Sequence, residues 1–216
     1  RPRADRDALA RAVALLKTAK KPLIIAGGGV RYSGAENAVA DFAAKRGIPV
    51  VETIAGKGGL THDHPVHCGP IGIVGSTSAN ALAAEADMIV AIGTRLQDFT
   101  TGSWTAFAQD AQFISINAAR FDAVKHRAIA VVGDALETVT ELDAGLAGWQ
   151  APAAHLPHGK ALFADWNALL DSHQAITNGP IPTYAQVIGV MNKTAKPNDT
   201  LIGAAGGTPG EITKGW

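Results

Sequence analysis

An open α/β fold, a parallel sheet with helices on both faces followed by part of a second α/β unit, is predicted by two observations. First, the apolar runs are short and continuous, as at residues 22–26, 87–93 and 112–117. A strand in an all-parallel sheet is covered on both faces, so its residues need not alternate between apolar and polar. Second, the segments between these runs have helical length and helical spacing, which is the pattern of repeated strand–helix units.

The elements follow in order. Leu9, Val13, Leu15 and Leu16 recur at helical spacing over residues 5–17, and Pro22 opens the run Leu23, Ile24, Ile25, Ala26 before three glycines. That pattern predicts helix, strand and tight loop. Residues 36–46 form an amphipathic helix carrying Val39 and Phe42, Gly47 stops it, and residues 48–53 are a β-branched run. Residues 77–86 are Ala-rich and helical, 87–93, 112–117 and 129–134 are buried-type strands, and 135–149 close the series as a helix. The stretch 150–159 contains Pro152 and Pro157 and has no periodicity, so it predicts a linker between a central domain at 1–149 and a second unit at 160–216. That unit reads as a helix at 160–176, a helix at 183–195 and a strand at 200–204. The chain starts at Arg1 and stops at Trp216 soon after an apolar run, which predicts a piece of a longer protein whose tail stays disordered or pairs with another copy.

Composition excludes several functions. The 216 residues carry 19 basic and 19 acidic side chains, for a formal net charge of zero. The pI is about 7.2 and the mean hydropathy +0.10. Scattered Lys and Arg leave no electrostatic footprint for nucleic acid or anionic lipid. No apolar run approaches the roughly 20 residues that span a bilayer. The single Cys68 forms no internal disulfide, in keeping with a reducing compartment, and the cytoplasm is the expected location.

In an open parallel sheet, ligands sit beyond the carboxyl ends of the strands. Four loops there are candidates. Gly27, Gly28 and Gly29 bring backbone close to any ligand; the readings left open are a tight turn, a dinucleotide site with Glu52 as ribose acid but Tyr32 where a third glycine belongs, and another ligand contact. Residues 69–77 end in Ser76 and Thr77, suited to opening a helix. Residues 93–104, with Gly93, Thr94, Arg95, Gln97 and Asp98, form a polar loop directly after a buried strand, and that concentration of donors and acceptors favours function. Gly133 and Asp134 end the last strand, where Asp134 caps the next helix or accepts from a ribose. His62, Asp63, His64, His67 and Cys68 all have metal-ligating chemistry, but one contiguous loop restrained by Pro65 reads as polar surface, and no metal site is predicted.

These loops, in this order, resemble the central domain of thiamine-diphosphate enzymes of the acetolactate synthase type. The matching stretches are PLIIAGGGV at 22–30, PVVETIAGKGGL at 49–60, residues 64–103, and FISIN at 113–117. The combination of GKG, GSTSANALA and GTRLQDFTTGSW is most similar to the trihydroxycyclohexane-dione hydrolases of inositol catabolism, and residues 199–216 are similar to the start of that family's diphosphate-binding domain. The resemblance implies a Rossmann-like central domain in a three-domain, homodimeric or homotetrameric enzyme that cleaves a carbon–carbon bond of a cyclic trihydroxy 1,2-diketone. It implies thiamine diphosphate and Mg held between the first and third domains of partner subunits. The activating glutamate and the magnesium motif belong to segments outside these residues, so no catalytic residue is assigned here and the chain alone is expected to be inactive.

The resemblance also suggests site residues. Gly27, Gly28, Gly29, Thr53, Gly93, Thr94, Arg95, Gly133 and Asp134 fall on the nucleotide-like crevice, where the acetolactate synthases hold FAD, and Thr208, Pro209 and Gly210 fall near the thiamine diphosphate. Gln97, Phe99 and Asn117 depart from the acid, arginine and ribose-binding aspartate of the flavin enzymes, which argues against FAD. The alternatives are an acetolactate synthase-like carboligase with structural FAD and a non-catalytic nucleotide-binding module.

Overall fold

The computed structural model describes residues 1–177, 179–204 and 206–216. Six parallel strands, β1 (Pro22–Ala26), β2 (Val50–Glu52), β3 (His67–Pro70), β4 (Met88–Ile92), β5 (Gln112–Asn117) and β6 (Ile129–Val132), form one sheet in the order β3-β2-β1-β4-β5-β6. The helices are α1 (Arg6–Leu16), α2 (Gly28–Ser33), α3 (Glu36–Arg46), α4 (Thr77–Glu85), α5 (Asp98–Thr101), α6 (Arg120–Ala123), α7 (Ala135–Gly145), α8 (His155–Gln174), α9 (Tyr184–Thr194) and α10 (Gly207–Gly215). Strand order reverses between β1 and β4, which opens a crevice beyond their carboxyl ends. Among the described residues, no helix is long and apolar enough to cross a membrane.

The continuous apolar runs divide between two cores. Ile24, Val90 and Ile92 join Leu16, Val39 and Phe42 on one face. Their neighbours Leu23, Ile25, Ile89 and Ala91 join Leu82 and Phe107 on the other. Side chains two apart share a face of a strand, so both positions of the alternation are apolar and both are buried. Each fully buried Leu or Ile contributes about 1.5–3 kcal/mol relative to an exposed one, and helix caps add to this. Asp5 accepts from Ala8 N–H, Ser76 from Ala79 N–H, and Thr183 and Gln186 close a reciprocal capping box.

Four sequence expectations are corrected. The segment read as polar surface holds an edge strand, β3, with His67 and Cys68 buried; a four-residue edge strand of His, Cys, Gly and Pro has neither alternation nor β-branched content to announce it. Helix α8 starts at His155, inside the predicted linker, because Pro157 falls in its first turn, where no intrahelical N–H is required. His155 is buried and its Nε2 lies 2.8 Å from Pro22 O, which pins α8 to the start of β1; the aperiodic stretch shrinks to 150–154. No strand forms at 200–204, where no neighbouring strand is present to pair with it. The tail, one reading of which was disorder, folds as α9 and α10; Ile188 is fully buried and Gln174 Nε2 donates to Gly215 O at 3.2 Å. Asn178 and Ala205, both within the second unit read at 160–216, lie outside the described residues.

Arg46 ties this architecture together at one corner. It is buried at the end of α3, and its guanidinium donates to Asp143 Oδ1 (2.8 Å), Asp143 O (2.7 Å) and Trp149 O (2.8 Å). Ala151 N–H returns a bond to Arg46 O at 2.8 Å, so the chain leaving α7 is fastened to α3 before α8 begins.

Candidate functional site

The crevice at the β1/β4 reversal is a cavity of about 340 Å³. Its floor comes from the ends of β1, β2, β4 and β5, with Gly28, Thr53, Thr94 and Asn117 among the lining residues; Arg95 and Gln97 add polar groups, and Tyr32 and Ile54 supply apolar surface.

The glycines are explained first by backbone packing. Gly27 N–H donates to Ile92 O and Gly29 N–H to Gly93 O, both at 2.9 Å. A Cβ on Gly29 would lie 2.6 Å from Gly93 Cα, and one on Gly27 would lie 2.5 Å from Gly93 O. The loops after β1 and β4 therefore press backbone against backbone. Two of the three glycine amides are consumed by that contact, and Gly28 starts a six-residue helix in place of the tight loop expected.

Hydroxyl groups carry most of the uncharged polarity. Thr53 Oγ1 accepts from Gly56 N–H (3.1 Å) and Thr94 Oγ1 from Leu96 N–H (3.2 Å), which leaves each hydroxyl proton to donate. Asn117 Nδ2 donates to Thr94 O (3.0 Å) while its Oδ1 accepts from Ala119 N–H (2.9 Å), so this amide clamps two loops. Lys125 binds Asp122 Oδ1 (2.7 Å) and Arg95 O (3.1 Å), a second tie between the same loops, and Arg95 reaches Gln97 Oε1 at 3.3 Å. An aspartate at position 117 cannot donate to Thr94 O and would set a carboxylate against a carbonyl. Asn117→Asp is expected to cost about 1–3 kcal/mol, read as a lower urea midpoint with an unchanged denaturant slope.

Gly133 and Asp134 are not among the residues lining this cavity. Asp134 caps α7 by accepting from Leu136 and Glu137 N–H, and Ser33 and Arg1 also donate to its Oδ1. Burial alone would raise its pKa; the bonds from Ser33 and Arg1 outweigh that and hold the carboxyl below the ordinary range. Glu52, the ribose acid of the dinucleotide reading, also turns away. It is 2% exposed, accepts from Leu60 N–H at 2.9 Å and pairs with His67 Nε2 at 3.3 Å. Thr100, from the polar loop at 93–104, and Tyr32, named only as a departure from the dinucleotide motif, also line the cavity; Ile54, Ala55 and Asp122 were missed, because they stand just past a strand end or on a four-residue helix, too short for any periodic signal.

The His62–Cys68 cluster does not converge. His67 faces Glu52, and burial pushes the Cys68 thiol up to about 12, which leaves it protonated and unreactive near neutrality. Among the described residues, no group of three or more His, Cys, Asp or Glu is placed to hold a metal ion. Thr208, Pro209 and Gly210 lie in α10, where Gly210 packs against Val74.

A six-stranded parallel sheet with glycine-packed loops at its reversal point defines an open, doubly wound α/β domain. The family model for the thiamine pyrophosphate enzyme, central domain, matches residues 9–142, and the chain belongs to that family. Its relatives narrow the comparison. The chain is 32% identical over 241 residues to a 3D-(3,5/4)-trihydroxycyclohexane-1,2-dione hydrolase of Clostridium perfringens, covering 100% of this chain and 38% of that protein. It is 34% identical over 236 residues to the hydrolase numbered 2 of Bacillus cereus, covering 98% of this chain and 37% of the relative. A Geobacillus thermodenitrificans hydrolase of the same name is 34% identical over 229 residues, covering 95% and 35%. The chain thus spans well under half the length of these relatives.

Proposed function

We propose that this chain is the central domain and adjoining segment of a thiamine-diphosphate-dependent hydrolase that cleaves a carbon–carbon bond of a cyclic trihydroxy 1,2-diketone. The observation that carries the reading is similarity to the dione hydrolases along the whole chain, α8 to α10 included, and not only over the domain shared by the wider family. In the intact enzyme, a cytoplasmic homodimer or homotetramer, thiamine diphosphate with Mg supplies the electron sink for breaking the ring bond. The residues described here supply the platform: a rigid sheet edge whose loops are locked by Asn117 and Lys125. By itself the chain turns over no substrate.

The crevice takes no flavin in this proposal. Gln97 is engaged by Arg95, Phe99 is half exposed, and Asn117 is spent on two backbone groups, so no carboxylate is presented to a ribose at that position. Titrating the chain with FAD by absorbance and fluorescence, with ADP and NAD as controls, is expected to give no saturable binding at micromolar concentration. Saturable micromolar FAD binding would move the protein to the acetolactate synthase-like carboligases.

A further inference from the structure

Six non-glycine residues among those described have positive φ, and five of them fall in two segments: Leu96, Ser103 and Trp104 between β4 and β5, and His126 and Arg127 between β5 and β6. In both crossovers the only α-helix is a single four-residue turn, α5 or α6, where a doubly wound fold ordinarily lays a full helix. Left-handed backbone is uncommon at Trp, His or Arg and persists only where the surroundings enforce it. The two segments meet at one surface, where Trp104 from the first and His126 and Arg127 from the second line the same cavity.

That cavity has a volume of about 540 Å³ and is larger than the crevice and separate from it. Trp104, Phe107 and Phe113 form its aromatic wall, Phe107 meeting Phe113 edge to face at 5.2 Å between centroids. Arg127 lies on its rim, is exposed, and makes no ion pair or side-chain hydrogen bond among the described residues. No acidic side chain lines the cavity. Aromatic walls with one free guanidinium define a site for a flat apolar body bearing a single anion.

We propose that this cavity is a binding site for a planar aromatic carboxylate, with its ring system against Trp104 and Phe107 and its carboxylate paired to Arg127. The test uses 2-naphthoate as probe and the Trp104 indole N–H in proton–nitrogen NMR spectra as reporter, assigned with Trp104→Phe. Saturable movement of that resonance is expected, with a dissociation constant below about 1 mM, equivalent to roughly 4 kcal/mol of binding. Arg127→Gln, at an exposed position that leaves the core untouched, is expected to weaken 2-naphthoate at least about tenfold, the loss of one charge-assisted pair. Binding of the neutral naphthalene-2-carboxamide should stay unchanged in the same variant. Absence of saturation with 2-naphthoate, an equal effect of Arg127→Gln on both probes, or a response confined to Trp149, Trp166 or Trp216 would overturn the proposal.

Discussion

Gly93→Ala is expected to destabilise the chain by about 2–5 kcal/mol, and to do so by separating the two loops that form the crevice. Two costs add. Gly93 has φ +60°, a region that costs an alanine about 1–2 kcal/mol. Its new Cβ would also lie 2.6 Å from Gly29 Cα and 2.7 Å from Val30 N, backbone atoms that cannot rotate away. Relieving such overpacking costs about 1–3 kcal/mol, and in a chain of this size each kcal/mol lowers Tm by roughly 2–4 °C. Gly47→Ala is the control. Gly47 has φ +68° but nothing within 4 Å of the added Cβ, so only the conformational cost of about 1–2 kcal/mol applies. Equal losses in the two variants by urea denaturation would show that the loops are not in contact as described.

Arg46→Met is expected to cost about 1–3 kcal/mol, the usual result of leaving buried acceptors unpaired, since the Asp143 carboxylate is partly exposed and keeps Lys45. The substitution leaves the apolar stem in place but orphans the carbonyls of Asp143 and Trp149 and removes one of two cations from the Asp143 carboxylate. Arg46→Lys should recover only part of the loss, because a single ammonium cannot reach three acceptors in a fixed fork. Acid should expose the same interaction. Burial pushes the Asp143 pKa up, yet the hydrogen bonds from Lys45 and Arg46 outweigh it, and the carboxyl is held below its ordinary value of 3.8. A carboxyl depressed in the folded state stabilises above its unfolded pKa and loses that contribution as pH falls through the folded one. Urea midpoints should therefore drop below about pH 4 in the native chain, and this acid slope should flatten in Arg46→Met.

Periodicity revealed most of the sheet, because β1 and β4 are buried on both faces with uninterrupted apolar runs, and β5 keeps a buried centre at Ile114–Ile116. It did not reveal β3, whose burial depends on α8 closing over Cys68, a contact about ninety residues distant along the chain, seen where a Cβ on Gly159 would lie 3.2 Å from Sγ. The candidate site was partly legible. Gly28, Gly29, Gly93, Thr94 and Arg95 line the cavity and stand at strand ends, where loop composition marked them, while Thr53 was marked only by the family resemblance. What the sequence could not express was competition for the same groups. Two of the glycine amides bond to the neighbouring strand end, Asp134 is taken by the α7 cap, and Glu52 by Leu60 and His67. Each is an accounting of hydrogen bonds that only the folded neighbours can supply.

The most direct measurement is made in a full-length relative. Replacing the equivalent segment of the Clostridium perfringens hydrolase with this chain gives an enzyme that can be purified, checked for assembly and thiamine diphosphate binding, and assayed on 3D-(3,5/4)-trihydroxycyclohexane-1,2-dione. The proposal predicts cofactor-dependent opening of the ring and no condensation of pyruvate. A folded, cofactor-loaded chimera that leaves the dione intact, or that makes acetolactate, would contradict it.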